Sequence, residues 1–262
     1  MKLSISNIGW SEKDNFVVFQ LMKKYKYSGL EIAPTRIFPV SPYDHLEEAA
    51  MWSKDLYQRY GFSIPSMQSI WYGRHERIFG TKEERQVLLD YTKKAIDFAH
   101  AVGCKNLVFG CPKNRVLPED AEKITAVPFF KELGDYAYLK DTVIGLEANP
   151  SIYNTNYIND TKLALELIRQ VDSEGFKLNL DTGTMIFNGE SINELIGNVK
   201  YINHVHISEP YLKPIEERGL HNELKNILLS EGYRGYISIE MSTIDDLNIL
   251  DKKLQYINHI YL

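Results

Sequence analysis

The stretch His204-Val205-His206-Ile207-Ser208-Glu209-Pro210 decides the fold of this chain. In a β-strand successive side chains point to opposite faces, so Val205 and Ile207 share one face while His204, His206 and Ser208 share the other. The apolar face predicts a buried strand, and the opposite face carries imidazole side chains, which are common metal ligands. The stretch is therefore predicted to be a buried strand that ends in a candidate metal ligand.

Three further segments repeat this plan, at residues 143–147, 177–181 and 236–240. Each segment places two aliphatic side chains on one strand face and closes with a carboxylate on the other face. Four predicted strands therefore end on side chains of the kind that bind metal ions: Glu147, Asp181, His206 and Glu240.

The rest of the chain alternates between predicted strands and predicted helices without a long linker. Earlier strands are predicted near residues 3–6, 30–33, 62–69 and 106–110, the third of them weakened by Pro65. Helices are predicted at about 14–26, 43–60, 82–102, 118–139, 160–171, 192–196, 221–230 and 245–259. Strict alternation implies parallel strands with right-handed crossovers. Eight repeats in 262 residues favour one closed (β/α)8 TIM barrel over a doubly wound sheet, so residues 1–262 are expected to form a single α/β domain.

Bulk composition favours a soluble, cytoplasmic protein. Hydrophobic residues make up 44% of the chain and charged residues 25%, which is typical of a globular protein. The formal net charge of −5 gives no reason to expect nucleic acid as a partner. Two cysteines are too few for a disulfide framework, and neither a signal peptide nor an apolar run long enough to span a membrane is apparent. No membrane partner is expected.

The four strand-end side chains predict one divalent metal site. Barrels place their chemistry at the carboxyl ends of the strands, where side chains from adjacent strands can converge. Three carboxylates and one imidazole suit Mn²⁺, Mg²⁺ or Co²⁺ better than a structural Zn²⁺, which prefers thiolates. A single strand-end carboxylate is more often a loop or cap partner, but four such residues in consecutive repeats favour a metal site. His204 lies two residues deeper and is expected to be a packed residue or to support the ligands from behind.

Several polar and aromatic residues near the same end of the predicted barrel are candidates for binding substrate. Gln68 ends the third strand, and Trp71 lies in the following loop, where its ring could stack on a sugar or pack under the loop. Lys113 and Arg115 could hold a phosphate, although a solvated loop is the simpler interpretation. The remaining candidates are Glu209, which follows the seventh strand, and His221. No glycine-rich phosphate-binding loop follows the last two strands, so a phosphorylated substrate is not inferred.

The sequence resembles the xylose isomerase-like barrel superfamily, which contains sugar and sugar-phosphate isomerases and epimerases and also endonuclease IV. The resemblance spans nearly the whole chain and rests on Gly-Leu-Glu147, Leu-Asp181-Thr, His-Val-His206-Ile and Ile-Ser-Ile-Glu240. It is strongest for the branch that contains ketose 3-epimerases and inosose dehydratases. In that branch the two strand-end glutamates, here Glu147 and Glu240, both hold the metal and exchange protons with the substrate.

The resemblance implies a metal-dependent isomerase or epimerase of a sugar or sugar phosphate. One glutamate would remove a proton from the carbon beside a carbonyl, and the other would return one, through a metal-stabilised enediolate. Two bases on opposite faces give epimerisation, whereas transfer of the carbonyl along the chain gives isomerisation, and the sequence does not choose between them. The expected cofactor is one divalent ion and the expected partner is a small polyhydroxylated substrate. A homodimer is considered, although no surface pattern marks an interface.

Departures from the family pattern leave the substrate open. Thr184 stands where many relatives have a histidine after the sixth-strand aspartate, and residues 213–221 lack the usual Pro-Gly-x-Gly stretch. Three alternatives to an isomerase or epimerase remain. The first is an inosose-type dehydratase, which starts from the same enolate. The second is an endonuclease IV-like phosphodiesterase, which would need histidines where this chain has Gln68, Cys111 and Thr184, and the third is a non-catalytic carbohydrate-binding barrel.

Overall fold

A curled sheet of seven parallel strands lies at the centre of the protein, in a computed structural model that describes all 262 residues, Met1–Leu262. In chain order the strands are β1 (Lys2–Ser6), β2 (Gly29–Glu31), β3 (Leu107–Phe109), β4 (Ile144–Leu146), β5 (Phe176–Asp181), β6 (Ile202–Ile207) and β7 (Tyr236–Ile239). Their order in the sheet is β2-β1-β7-β6-β5-β4-β3, so the last four strands of the chain lie side by side. The predicted α/β class and the predicted parallel pairing are confirmed.

The strand predicted at 62–69 is present only as isolated bridges between β2 and β3. These bridges join Gly29 to Ser63, Ile32 to Met67, and Met67 to Leu107. Pro65 lies in the middle of the segment and has no N–H group to donate, which limits regular pairing there. The predicted ring of eight regular strands is therefore seen as seven regular strands and one irregular segment.

Eight α-helices connect the strands. They are α1 (Asn15–Lys24), α2 (Leu46–Tyr60), α3 (Lys82–Val102), α4 (Ala126–Leu139), α5 (Thr161–Val171), α6 (Thr182–Asn188), α7 (Gly219–Ser230) and α8 (Leu247–Tyr261). None of these helices combines the length and the apolar composition that crossing a lipid bilayer requires.

The helices whose bounds were best predicted carry clear end signals. α3 begins after Thr81, which forms a reciprocal capping box with Glu84, and it ends at Gly103, where φ is 74°. α5 begins after Asp160, whose side chain accepts a hydrogen bond from the amide of Leu163 at 2.7 Å. Side-chain caps of this kind satisfy amides that have no partner within the helix, so the sequence can mark such ends locally.

Three elements differ from the predicted helices. The helix predicted at 118–139 begins only at Ala126, after a short 3-10 turn at Lys123–Thr125. The helix predicted at 192–196 is a 3-10 turn at Ile192–Leu195. Helix α6 has no counterpart among the predictions, because its first three residues (Thr, Gly and Thr) are weak helix formers.

The two faces of each strand in the second half of the sheet have different surroundings. The aliphatic residues on the outer face, such as Leu178, Leu180 and Val205, are at most 1% exposed. The inner face carries polar side chains that are equally buried, including Asn179 and His206. Because a buried polar group is costly without a hydrogen-bond partner, this inner layer must be organised as a network.

Candidate metal centre

Four side chains converge where β4, β5, β6 and β7 end. Glu147 follows β4 directly, Asp181 is the last residue of β5, His206 is the last but one of β6, and Glu240 follows β7. Each offers one ligand atom, and these atoms all lie within 4.8 Å of one another. The structure therefore brings together the four residues that the sequence predicts as metal ligands.

His206 lies at the centre of this cluster and is fully buried. Its Nδ1 atom lies 3.0 Å from Oε2 of Glu147 and 3.1 Å from Oε2 of Glu240. Neither contact has hydrogen-bond geometry, so this buried nitrogen has no hydrogen-bond partner. A nitrogen and two carboxylate oxygens that face one another without bonding form a donor set that fits a divalent cation.

Two carboxylates of the cluster have pKa values above their ordinary range. Burial raises the pKa of Asp181 to about 6, and the negative charge of Glu147 adds to the effect. Burial also raises the pKa of Glu240 to about 7, against the opposing effect of His206. Burial alone would lower the pKa of His206, but Glu31 and Glu240 raise it well above its ordinary value. Burial therefore disfavours the charged forms of Asp181 and Glu240 unless a positive charge lies beside them.

Glu31 lies behind His206 and is also fully buried. Its Oε2 atom lies 2.9 Å from Nε2 of His206 and 3.0 Å from Nε2 of His204. Burial opposes ionisation, yet His206 and His204 lower the pKa of Glu31 well below its ordinary value. Carboxylates that hold the far nitrogen of a metal-binding imidazole fix its orientation, and Glu31 occupies that position here.

A cavity of about 480 Å³ opens above the cluster. Glu147, Asp181 and Glu240 form part of its wall, so the carboxylates face open space while His206 lies beneath them. Four of the six predicted substrate-binding residues also line this cavity: Gln68, Trp71, Lys113 and Glu209. The cavity is of the size that small-molecule sites have in proteins.

Two tryptophans near this end of the sheet, Trp71 and Trp10, are held by packing. Trp71 is buried, donates from Nε1 to Oγ1 of Thr92 at 2.8 Å, and packs edge-on against Phe109. Its ring contributes to the cavity wall but is fixed under the loop. Trp10 is fully buried, donates to Asn15 at 2.8 Å, and lies outside the cavity wall.

Two polar candidates in the cavity wall already have partners. Gln68 is buried and donates from Nε2 to Ser6 at 2.5 Å and to Glu31 at 3.2 Å. Glu209 accepts two hydrogen bonds from the guanidinium of Arg218, at 2.7 and 2.6 Å. This bidentate pair neutralises Glu209 and ties the start of the loop after β6 to its end.

Two of the predicted substrate-binding residues lie outside the cavity wall. Arg115 is fully buried and donates to the carbonyl of Glu147 and to Oδ1 of Asn149, both at 2.9 Å, so it lies in neither of the surroundings considered for it, a solvated loop or a phosphate site. His221 is buried on α7, where its Nδ1 lies 2.9 Å from the hydroxyl of Tyr256. Both side chains lie in the protein interior and outside the cavity wall, where Nε of Arg115 and Nε2 of His221 have no hydrogen-bond partner.

Sequence reasoning missed two asparagines that contact the cluster. Asn179 donates from Nδ2 to Oε2 of Glu147 at 2.8 Å, and Asn149 donates to Oε1 at 3.0 Å. Asn179 lies two residues before Asp181 and thus on the same strand face, a signal that the two-residue period contains. Asn149 lies beyond the end of β4, where no strand period applies, so its position could not be predicted.

The fold and this cluster define an α/β protein with a candidate divalent-metal centre at the carboxyl ends of its parallel strands. The chain belongs to the xylose isomerase-like TIM barrel family, whose model matches residues 19–259. No curated protein sequence matches the chain.

Solved structures of several sugar epimerases share this fold. D-psicose 3-epimerase from Clostridium cellulolyticum H10, solved with D-tagatose, superposes with a TM-score of 0.78 at 16% identity, over 100% of this chain and 99% of that one. The 3-keto-D-glucoside 4-epimerase from E. coli gives a TM-score of 0.77 at 18% identity, over 99% of both chains. An L-ribulose 3-epimerase gives 0.74 at 15% identity, over 99% of this chain and 92% of that one. At these identities the likeness shows the fold.

Proposed function

We propose that this protein is a divalent-metal-dependent epimerase or isomerase of a small sugar or sugar phosphate. The observation that carries the proposal is the pair of buried glutamates at the cavity floor. Glu147 and Glu240 each place a carboxylate oxygen about one hydrogen-bond distance from the unpartnered Nδ1 atom of His206, at 3.0 and 3.1 Å. Membership of a sugar-isomerase-type family and the shared fold of ketose 3-epimerases support the same conclusion.

Glu147, Asp181, His206 and Glu240 would hold the ion. The donor set of three carboxylates and one imidazole favours Mn²⁺, Mg²⁺ or Co²⁺. When bound, such an ion supplies Lewis-acid polarisation of a carbonyl oxygen, which lowers the pKa of the neighbouring C–H bond. Glu31 would keep the imidazole of His206 oriented through Nε2, which leaves Nδ1 directed at the site.

Glu147 and Glu240 would move the proton. One carboxylate removes the proton from the carbon beside the carbonyl, and the carboxyl group across the substrate returns one to the same carbon or to its neighbour. Return to the opposite face of the same carbon inverts it, and return to the neighbouring carbon shifts the carbonyl. Both glutamates are less than 9% exposed, so bulk water is largely excluded from the transfer.

The cavity would bind the rest of the substrate. Its wall combines acidic groups at the floor with Lys113, Arg74 and His75 nearer the loops, and with the apolar face of Trp71. The proposal takes the sheet as a closed (β/α)8 barrel in which the segment 63–67 completes the ring between β2 and β3. In such a barrel these loops lie at the carboxyl ends of the strands, where barrel enzymes bind substrate.

Hydrogen exchange in D₂O tests this function directly. The protein is incubated with Mn²⁺ or Co²⁺ and a panel of ketoses, aldoses and their phosphates, and deuterium incorporation at carbon is followed by NMR. We expect exchange at one carbon of at least one sugar, because proton removal there is the defining step. Glu147→Gln and Glu240→Gln should each slow the exchange by about 10²–10⁴, since neither amide can accept the proton.

The matched control is Glu223→Gln, which makes the same chemical change at an exposed position on α7. Its exchange rate should equal that of the wild-type protein. Absence of carbon-bound exchange with every sugar of the panel, or unchanged exchange in both glutamine variants, would contradict the proposal.

A further inference from the structure

The carboxylate of Glu147 is held by two amide groups, one on each oxygen. Nδ2 of Asn179 donates to Oε2 at 2.8 Å, and Nδ2 of Asn149 donates to Oε1 at 3.0 Å. Both asparagines are buried. Glu240 has no such donors, because its only ion-pair partner is His206 and no side chain donates a hydrogen bond to it. The two glutamates therefore differ in how firmly their carboxylates are oriented.

On one side of Glu147 the amides form a continuous chain of hydrogen bonds that starts at a half-buried side chain and runs inward. Asn203 on β6 donates from Nδ2 to Oδ1 of Asn106 at 2.9 Å. Asn106, immediately before β3, donates in turn to Oδ1 of Asn179 at 3.2 Å. Asn179 then donates to Glu147, so three consecutive side-chain amides point their N–H groups toward the same carboxylate.

The two ends of the network fix the direction of these hydrogen bonds. Asn203 also donates to the backbone carbonyl of Lys105 at 3.0 Å, and a carbonyl can only accept. On the other side, Oδ1 of Asn149 accepts from Nη2 of Arg115 at 2.9 Å, and a guanidinium can only donate. The amide orientation of each asparagine next to Glu147 thus follows from a partner whose role is unambiguous, rather than from a choice between nitrogen and oxygen.

Gly145 leaves the space that is occupied by one of these asparagine side chains, that of Asn106. A Cβ atom at this position would lie 2.4 Å from Oδ1 of Asn106 and 3.1 Å from its Cγ, which is too close for any side chain. Gly145 is on the same inward face of its strand as Glu147, two residues before it. The strand that carries the glutamate therefore also leaves the space that the amide chain needs.

We propose that Asn179 and Asn149 are positioning residues for Glu147, and that Asn106 sets the orientation of Asn179. The amides donate to both oxygens of Glu147 and carry no charge of their own, so they fix the direction of the carboxylate without placing a second cation beside the proposed metal ion. Glu147 is then the pre-oriented member of the pair, and Glu240 is the member free to adjust. The inference rests on the proposed function, since it assigns these residues to the same metal and proton-transfer site.

Removal of the amide donors tests the inference. Asn179→Leu and Asn149→Leu replace the amide by an apolar group of similar size, and Asn106→Leu leaves Asn179 free to turn. For each variant the affinity for Mn²⁺ is measured on the purified protein, together with kcat and KM once a substrate is known. We expect Mn²⁺ affinity to fall by about 10- to 100-fold in the first two variants, as for other residues that orient metal ligands. The value of kcat should fall more than KM rises.

The matched control is Asn258→Leu, which removes a partly buried amide donor to the carbonyl of Tyr25, at 2.7 Å, on the remote helix α8. It should bind Mn²⁺ as the wild-type protein does. Circular dichroism checks each fold, and Asn149→Leu carries the test if Asn179→Leu does not fold. Folded variants that bind Mn²⁺ as tightly as the wild-type protein would overturn the positioning role alone. Failure of the wild-type protein to bind Mn²⁺ would instead overturn the proposed function, and this inference with it.

Discussion

His206 contacts two of the other candidate metal ligands on one side of its ring and Glu31 on the other side. Its Nδ1 atom faces Glu147 and Glu240, and its Nε2 atom faces Glu31 at 2.9 Å. The alternation of His204, Val205, His206 and Ile207 is enough to predict from sequence that His206 points inward. The same parity places Glu31 inward, but its contact with His206 crosses the interior of the curled sheet between residues 175 positions apart. No local pattern contains such a contact.

The raised pKa of Glu240 has a consequence for the stability of the metal-free protein. Burial raises the pKa of Glu240 from its ordinary value of 4.5 to about 7, so the folded state holds a proton that the unfolded state releases. The stability that Glu240 contributes is therefore fully present below pH 4.5 and is lost as pH rises through 7. Glutamine needs no proton to be neutral. We expect metal-free Glu240→Gln to gain stability over the wild-type protein as pH rises, on the order of 3 kcal/mol at pH 8.

Denaturant unfolding of both proteins at pH 5 and pH 8, after treatment with a chelator, measures this difference. Other groups also change the stability with pH; burial lowers the pKa of His221, for example, to about 4. Their contributions are the same in both proteins and cancel in the comparison. A stability difference that does not change between the two pH values would contradict the assignment. With saturating Mn²⁺ the order of the two proteins should reverse, because only the wild-type protein keeps all four ligands.

At the scale of secondary-structure elements, Asp181 belongs to the end of one element and caps the start of the next. It is the last residue of β5 and the N-cap of α6, where its Oδ1 atom accepts from the amide of Thr184 at 2.6 Å. The sequence indicates the strand clearly, because Leu178 and Leu180 alternate with polar residues. It does not indicate the helix, because α6 is only seven residues long and depends on this cap and on the hydroxyl of Thr182, which accepts from the amide of Ser208 at 2.9 Å. Short helices of this kind are stabilised by tertiary contacts rather than by propensity.

The dual position of Asp181 predicts different effects for two substitutions. Asp181→Asn and Asp181→Ala both remove the charge that the proposed metal site uses, so both should weaken Mn²⁺ binding. Only Asp181→Ala also removes the helix cap, since asparagine caps as well as aspartate does. We therefore expect the alanine variant to be less stable than the asparagine variant by about 0.5–2 kcal/mol. Denaturant unfolding without metal provides the measurement, and equal stabilities would show that the cap contributes nothing.

At the scale of the whole molecule, the order of the strands explains why the four predicted ligands meet. β4, β5, β6 and β7 are consecutive neighbours in the sheet, and Asp181 on β5 is in register with His206 on β6. His206 is in turn in register with Ser238, two residues before Glu240. Parallel strands in sequential order follow from the alternation of strands and helices, which is why the fold class and the convergence of the four candidate ligands could both be predicted.

The positions of several side chains in the loops could not be predicted from the sequence. The buried guanidinium of Arg115 and the inward position of Asn149 both depend on the loops that follow the strands. Loop conformation is set by contacts between elements that are distant in sequence, such as the hydrogen bond from Arg115 to the carbonyl of Glu147 at 2.9 Å. Periodicity predicts strands and their faces, but it carries no information about such contacts.

Stoichiometric titration with Mn²⁺, followed by electron paramagnetic resonance at pH 8, tests the central claim most directly. We expect the wild-type protein to bind one ion per chain at the four strand ends. Asp181→Asn and His206→Ala should each weaken that binding by more than the 10- to 100-fold that is typical for residues outside the ligand set. Absence of a bound ion in the wild-type protein, or an ion that binds both variants as tightly as the wild-type protein, would contradict the account.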